Sequence, residues 1–145
     1  AVLADTGVGG SSLILEITES LLIDDICLAI GLLDQLAARE IRIGIDDFGT
    51  GYSSLSYLNQ LPVHHLKIDK TFINQMQSED RHHQIVSAII TLSRQLGLTT
   101  IAEGIETDAQ FEQLHQLGCE FGQGYLFSKP MTAQEVESRF LRPES

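Results

Sequence analysis

Basic residues are scarce in this chain. Nine lysines and arginines stand against twenty aspartates and glutamates over 145 residues, a formal net charge of −11. A surface of that sign repels nucleic acid, whose binding depends on Lys and Arg neutralising phosphates, so DNA and RNA are not expected partners. A phosphate ester could sit beside so many carboxylates only with cations between them. Cysteine is scarce too. Cys27 and Cys119 both lie in apolar segments and read as reduced core thiols, not as a disulfide. No apolar run approaches the roughly 18 residues that would span a membrane. The opening residues Ala1-Val2-Leu3-Ala4-Asp5 have neither the basic start nor the apolar core of a signal peptide. The expectation is a cytoplasmic chain, whose parent could still be membrane-anchored. Ala, not Met, at position 1 fits a fragment or a processed product.

What is present is a sequence able to pack. Hydrophobic residues make up 43% of the chain, enough for one folded domain. Short apolar runs read as strands at Leu13 to Thr18, Ile41 to Asp46, His65 to Ile68, Thr99 to Ala102 and roughly Phe121 to Phe127. The first two are apolar on both faces, as strands buried on both sides tend to be. Between them lie helical patterns. Ile26, Ile30, Leu33 and Ala37 share one helix face. A second helix is expected from near Ser78, with Glu79 and Asp80 favoured by the helix dipole and Gly97 ending it. A third runs from Thr107, with Gln110 at capping-box spacing, to Gly118, and a fourth starts at Thr132 with Glu135 in the same relation. A short helix from about Ser53 to Leu61 is stopped by Pro62.

Strands alternating with helices imply a parallel sheet, either doubly wound or closed into a barrel. Gly49-Thr50-Gly51 follows a strand but lacks the third glycine of a dinucleotide fingerprint. The polar residues favour the barrel. Glu16 and Glu19 close the first strand, Asp46 and Asp47 the second, Lys67 and Asp69 the third, and Glu103 and Glu106 the fourth, while Gln123 lies in the fifth. In a barrel all of these ends meet on the one face where catalytic residues gather. Carboxylates crowded together resist joint ionisation, and hard divalent cations such as Mg2+ or Mn2+ relieve them. Two such ions about 3.5–4 Å apart suit in-line attack of water on a phosphodiester. The pairs His64-His65 and His82-His83 have no metal spacing and read as solvated or strand-start residues. Phe111, Phe121, Phe127 and Phe140 read as core or helix-packing residues.

Five segments then resemble the motifs of one family. Leu15-Glu16-Ile17-Thr18-Glu19-Ser20 is similar to the Glu-x-Thr-Glu segment of EAL domains. Asp46-Asp47-Phe48-Gly49-Thr50-Gly51-Tyr52-Ser53-Ser54-Leu55 resembles their long signature loop. Leu66-Lys67-Ile68-Asp69, Ala102-Glu103-Gly104-Ile105-Glu106 and Gln123-Gly124-Tyr125-Leu126-Phe127-Ser128-Lys129-Pro130 resemble the three that follow, in family order.

The resemblance implies a TIM-type (β/α) barrel, truncated here to about five strands and their helices, that hydrolyses cyclic di-GMP to the linear dinucleotide with two Mg2+ or Mn2+ ions. It implies that Glu16 and Asp46 bind the first metal and that Asp46 and Asp47 hold the second. Lys67 would hold the attacking water, and Glu103 would be the candidate base. Glu19 would brace the loop from Phe48 to Ser53, with Asp69, Glu106 and Gln123 in support. The Glu-Ala-Leu motif, its neighbouring Arg and the next strand's Asn are expected upstream of Ala1, because a full barrel takes about 250 residues and eight strands. Residues 1–145 are thus expected to be the C-terminal part of the domain, poorly active alone and prone to self-association or homodimer formation. Upstream GGDEF or sensor domains follow family habit. The alternative function is a non-catalytic cyclic di-GMP receptor.

Overall fold

A computed structural model gives the structure and describes residues 2–19, 26–50, 58–76 and 80–141, the side chains of Ala4 and Cys27 excepted. Five strands, β1 Ile14–Thr18, β2 Arg42–Phe48, β3 His65–Ile68, β4 Thr99–Glu103 and β5 Phe121–Gln123, form one sheet. Every neighbouring pair is parallel, and the spatial order is β1-β2-β3-β4-β5. That order never reverses. With right-handed crossovers, a sheet wound always in one direction carries its helices on a single face. This is how a barrel wall is wound; a doubly wound sheet reverses direction at its ligand site.

Among the described residues the α-helices are α1 Val2–Thr6, α2 Ile26–Ala37, α3 Lys70–Gln75, α4 Asp80–Gln95, α5 Asp108–Leu117 and α6 Ala133–Val136. α5 starts with a complete capping box in which Thr107 and Gln110 bond each other's backbone, and Thr132 and Glu135 do the same for α6. After α4 and α5 the chain turns at Gly97 and Gly118, with φ of 71° and 78°, a left-handed geometry that glycine adopts without Cβ strain. The core lies on the helix-covered face of the sheet. Ile43, Ile45, Leu66, Ile68 and Ala102 of the central strands pack with Leu33 of α2, Val86, Ile89 and Ile90 of α4 and Leu114 of α5. Burying each such Ile or Leu is worth about 1.5–3 kcal/mol.

On the opposite face, Glu16, Gly44, His65 and Thr99 lie level across four strands. A Cβ on Gly44 would stand 2.2 Å from His65 Nε2, so the imidazole lies over the glycine. His65 opens β3, but it is buried, not solvated, and its Nε2 has no hydrogen-bond partner among the described residues. Desolvation lowers its pKa, against the nearby charge of Glu16.

Other expectations are corrected. β5 is shorter than the run Phe121 to Phe127. After Gln123 the chain turns back on the β4 exit, with the Leu126 N–H donating to the Ile105 carbonyl and the Phe127 N–H to that of Gly124. Phe121, Phe127 and Phe140 are exposed, not core, and Phe111 packs edge-on against Phe127 at the surface. The residues after Val136 widen into a π-helical turn, Glu137–Leu141. α3 was not anticipated. Its signal was Asp69, whose side chain accepts from the Thr71 N–H as an N-cap. The expected helix from Ser53 to Leu61 and the start at Ser78 and Glu79 fall mostly outside the described residues. Cys119 is a free, half-buried thiol.

Candidate functional site

Side chains alternate faces along a strand, so residues two apart share a face. Glu16 and Gly44 are level, as are Thr18 and Asp46, and His65, Thr99 and their +2 neighbours follow. Glu16, Asp46, Lys67, Glu103 and, level with it, Gln123 therefore all face away from the helices near the carboxyl ends of the strands. Lys67 is the hub. Its ammonium lies 2.8 Å from Glu16, 3.2 Å from Asp46 and 2.5 Å from Glu103, with its side chain only 7% exposed. Burial alone would pull the Lys67 pKa down. The bonds to Glu103, Glu16 and Asp46 outweigh it and hold the pKa well above the ordinary range. The lysine is a fixed cation.

Two adjacent acids on a regular strand would point to opposite faces. The β2–β3 pairing has a bulge between Ile45 and Phe48, and Asp47 takes a left-handed φ of 54°. Bulges re-aim side chains in this way. Asp47 is turned toward the same face as Asp46, and carboxylate oxygens of Asp46, Asp47 and Glu103 all lie within 4.8 Å of one another. Burial raises the Asp47 pKa, as do repulsion from Asp46 and Asp69 and a hydrogen bond shared with the Asp69 carboxyl. Asp69 goes the other way. Its burial would raise the pKa, but bonds from the Thr71 hydroxyl and N–H, Asp47 and the charge of Lys70 lower it.

Around this cluster, Glu19 is buried and its Oε2 accepts from the Gly49 N–H at 3.1 Å, joining the end of β1 to the loop after β2. Glu106 and Gln123 lie beside the cluster, Gln123 level with Glu103 on the neighbouring strand. They line, with Glu103, Lys70 and Tyr125, an adjoining cleft of about 260 Å3. Glu16 stands apart from the three-carboxylate group and is held by Lys67 instead. Close all-oxygen donors of this kind suit a hard divalent cation such as Mg2+, Mn2+ or Ca2+. Sequence reasoning missed the bulge that makes Asp46 and Asp47 co-facial; the paired acids were its only trace. It also missed the buried state of His65, for which the sequence carries no signal.

The family model of the EAL domain matches residues 1–130. The bifunctional diguanylate cyclase/cyclic di-GMP phosphodiesterase MucR of Pseudomonas aeruginosa is 50% identical over 126 residues, 87% of this chain and 18% of that protein. A solved structure of the MucR phosphodiesterase in complex with cyclic di-GMP superposes with a TM-score of 0.90 at 48% identity, covering 92% of this chain and 54% of that one. Klebsiella pneumoniae BlrP1, solved with manganese and cyclic di-GMP, gives a TM-score of 0.82 at 30% identity, covering 88% of this chain and 33% of that one; it was also solved with calcium. The chain therefore spans about half of the MucR structure and under a fifth of the MucR protein.

Proposed function

The chain belongs to the EAL domain family, and from that premise we propose that it is the C-terminal part of a cyclic di-GMP phosphodiesterase domain. The observation that carries this reading is the hub at Lys67, which gathers carboxylates from three strands at the end of the sheet where the cleft opens. Glu16, Asp46 and Asp47 are the residues proposed to hold divalent cations. Such ions, when bound, relieve the repulsion among the carboxylates and neutralise charge on a phosphodiester. Lys67 supplies a permanent positive charge that orients a water and answers developing negative charge. Glu103, bonded to Lys67, is the proposed proton acceptor. Glu19 holds the start of the signature loop through Gly49, and Asp69 anchors Asp47. Glu106 and Gln123 line the cleft in which the dinucleotide is proposed to lie.

The test is hydrolysis of cyclic di-GMP to the linear dinucleotide, followed by chromatography with Mg2+ or Mn2+, for the full-length protein and for this chain alone. Turnover is expected from the full-length protein, lost in Glu103→Gln, and weak from the chain. Tight binding without turnover would favour a receptor instead. Self-association, the proposed cover for the outer strands β1 and β5, is checked by light scattering; a stable monomer at low micromolar concentration would refute it.

A further inference from the structure

The Gln110 amide does more than cap a helix. Gln110 is buried, and both ends of its amide are engaged. Oε1 accepts from the Glu106 N–H at 2.8 Å and the Thr107 N–H at 3.1 Å. Nε2 donates to the Ile73 carbonyl and to Asn74 Oδ1, both at 3.4 Å. A capping box requires the Thr107 bond alone. Of the other three, the Glu106 bond ties the loop between β4 and α5 to the Gln110 side chain, and the two from Nε2 carry that side chain to the last turn of α3. The same loop also rests on the first turn of α3, where a Cβ on Gly104 would stand 2.6 Å from Lys70 Cβ. α3 is in turn capped by Asp69, the partner of Asp47. On the far side, the Ile105 N–H donates to the Gln123 carbonyl at 3.1 Å. Lys70, Glu103, Glu106 and Gln123, which wall the cleft, thus stand on segments fastened to one another.

We propose that Gln110 is a positioning residue: its amide locks onto α3 the loop that leaves β4 after Glu103 and carries Glu106, and so sets the shape of the cleft. The proposal rests on the phosphodiesterase reading for its functional consequence, though not for its structural one. A buried amide with all its bonds made is costly to replace halfway, because each lost partner leaves another group unpaired. Small displacements of positioned groups cost roughly ten- to a hundredfold in rate.

The experiment compares Gln110→Met, Gln110→Glu and Thr107→Ala in the full-length protein, reading kcat and KM for cyclic di-GMP and backbone amide exchange. Gln110→Glu keeps the acceptor for the cap and loses the N–H donors to α3. It is expected to lower kcat/KM about tenfold, and to speed exchange of the Phe72 and Met76 amides, while the Glu106 and Thr107 amides stay protected. Gln110→Met is expected to deprotect these as well. Thr107→Ala, which removes only the cap, is expected to stay within about twofold of native kcat/KM. Native kcat/KM in Gln110→Glu, or a loss in Thr107→Ala equal to that in Gln110→Met, overturns the proposal. If Gln110→Met fails to fold, Asn74→Ala removes one tether acceptor at an exposed position and is expected to raise KM; unchanged KM there and in Gln110→Glu also overturns it. If the native protein shows no turnover, the phosphodiesterase reading fails. The tether then stands or falls on whether Gln110→Glu speeds Phe72 and Met76 exchange.

Discussion

The two faces of the sheet do opposite things with the same strands. On the helix side, Ile43, Ile45, Leu66, Ile68 and Ala102 are sealed into an apolar core. On the other side, one residue further along each strand, Glu16, Asp46 and Glu103 crowd around Lys67. The first face is stable because it is almost wholly apolar and well buried. The second is held together by Lys67, whose removal leaves like charges facing one another. Stability is concentrated on one face, and the proposed chemistry lies on the other.

The sharpest way to break that comparison is Lys67→Met in buffer with chelator. Removing one partner of a buried ionic cluster is expected to cost about 3–5 kcal/mol in urea denaturation. Adding Mn2+ is expected to restore part of the loss; a variant as stable as native without metal would mean that the charged face is not held by its lysine. Leu66→Ala tests the other face. Its side chain is fully buried, and the cavity is expected to cost about 2–4 kcal/mol, while kcat/KM measured well below the melting point stays at the native value. A change in KM would show that the two faces are coupled.

A smaller effect separates the members of the acidic cluster by pH. The raised Asp47 pKa means that the folded chain holds this proton more tightly than the unfolded one. Its contribution is therefore full below the ordinary value of 3.8 and is lost as pH rises through the raised value. The lowered Asp69 pKa works in the other direction, with stability present above 3.8 and lost as pH falls through the depressed value. Asp47→Asn removes the first contribution and can still donate to Asp69. In thermal melts with chelator, its advantage over native is expected to grow as pH is raised from about 4 and to vanish below that. An advantage that does not change with pH would contradict the shared hydrogen bond. The smallest expected effect is that of Thr107→Ala, about 1 kcal/mol from the lost cap, measured by denaturation.

Much of this was legible before the structure. The alternation of apolar runs and capped helices marked the parallel sheet, and the acids at the strand ends marked the charged face. Thr107 with Gln110 and Thr132 with Glu135 announced their helices because capping is a local interaction. What could not be read is non-local. The bulge that turns Asp47 depends on how β2 pairs with β3, and the burial of His65 depends on Gly44, twenty-one positions earlier. The end of β5 was misjudged because Tyr125 and Phe127 have strand-like side chains, whereas the backbone there is bonded to Ile105 and Gly124 in a turn.

The histidine ring lying over Gly44 also limits how this sequence can change. A Cβ at position 44 fits only if the imidazole at position 65 moves aside. A small residue at 65 leaves a hole until position 44 has grown. Any stepwise path from this pairing to another passes through a form that is either overpacked or hollow. The two positions are therefore coupled by packing, and a lineage that alters one is expected to carry a matching alteration in the other.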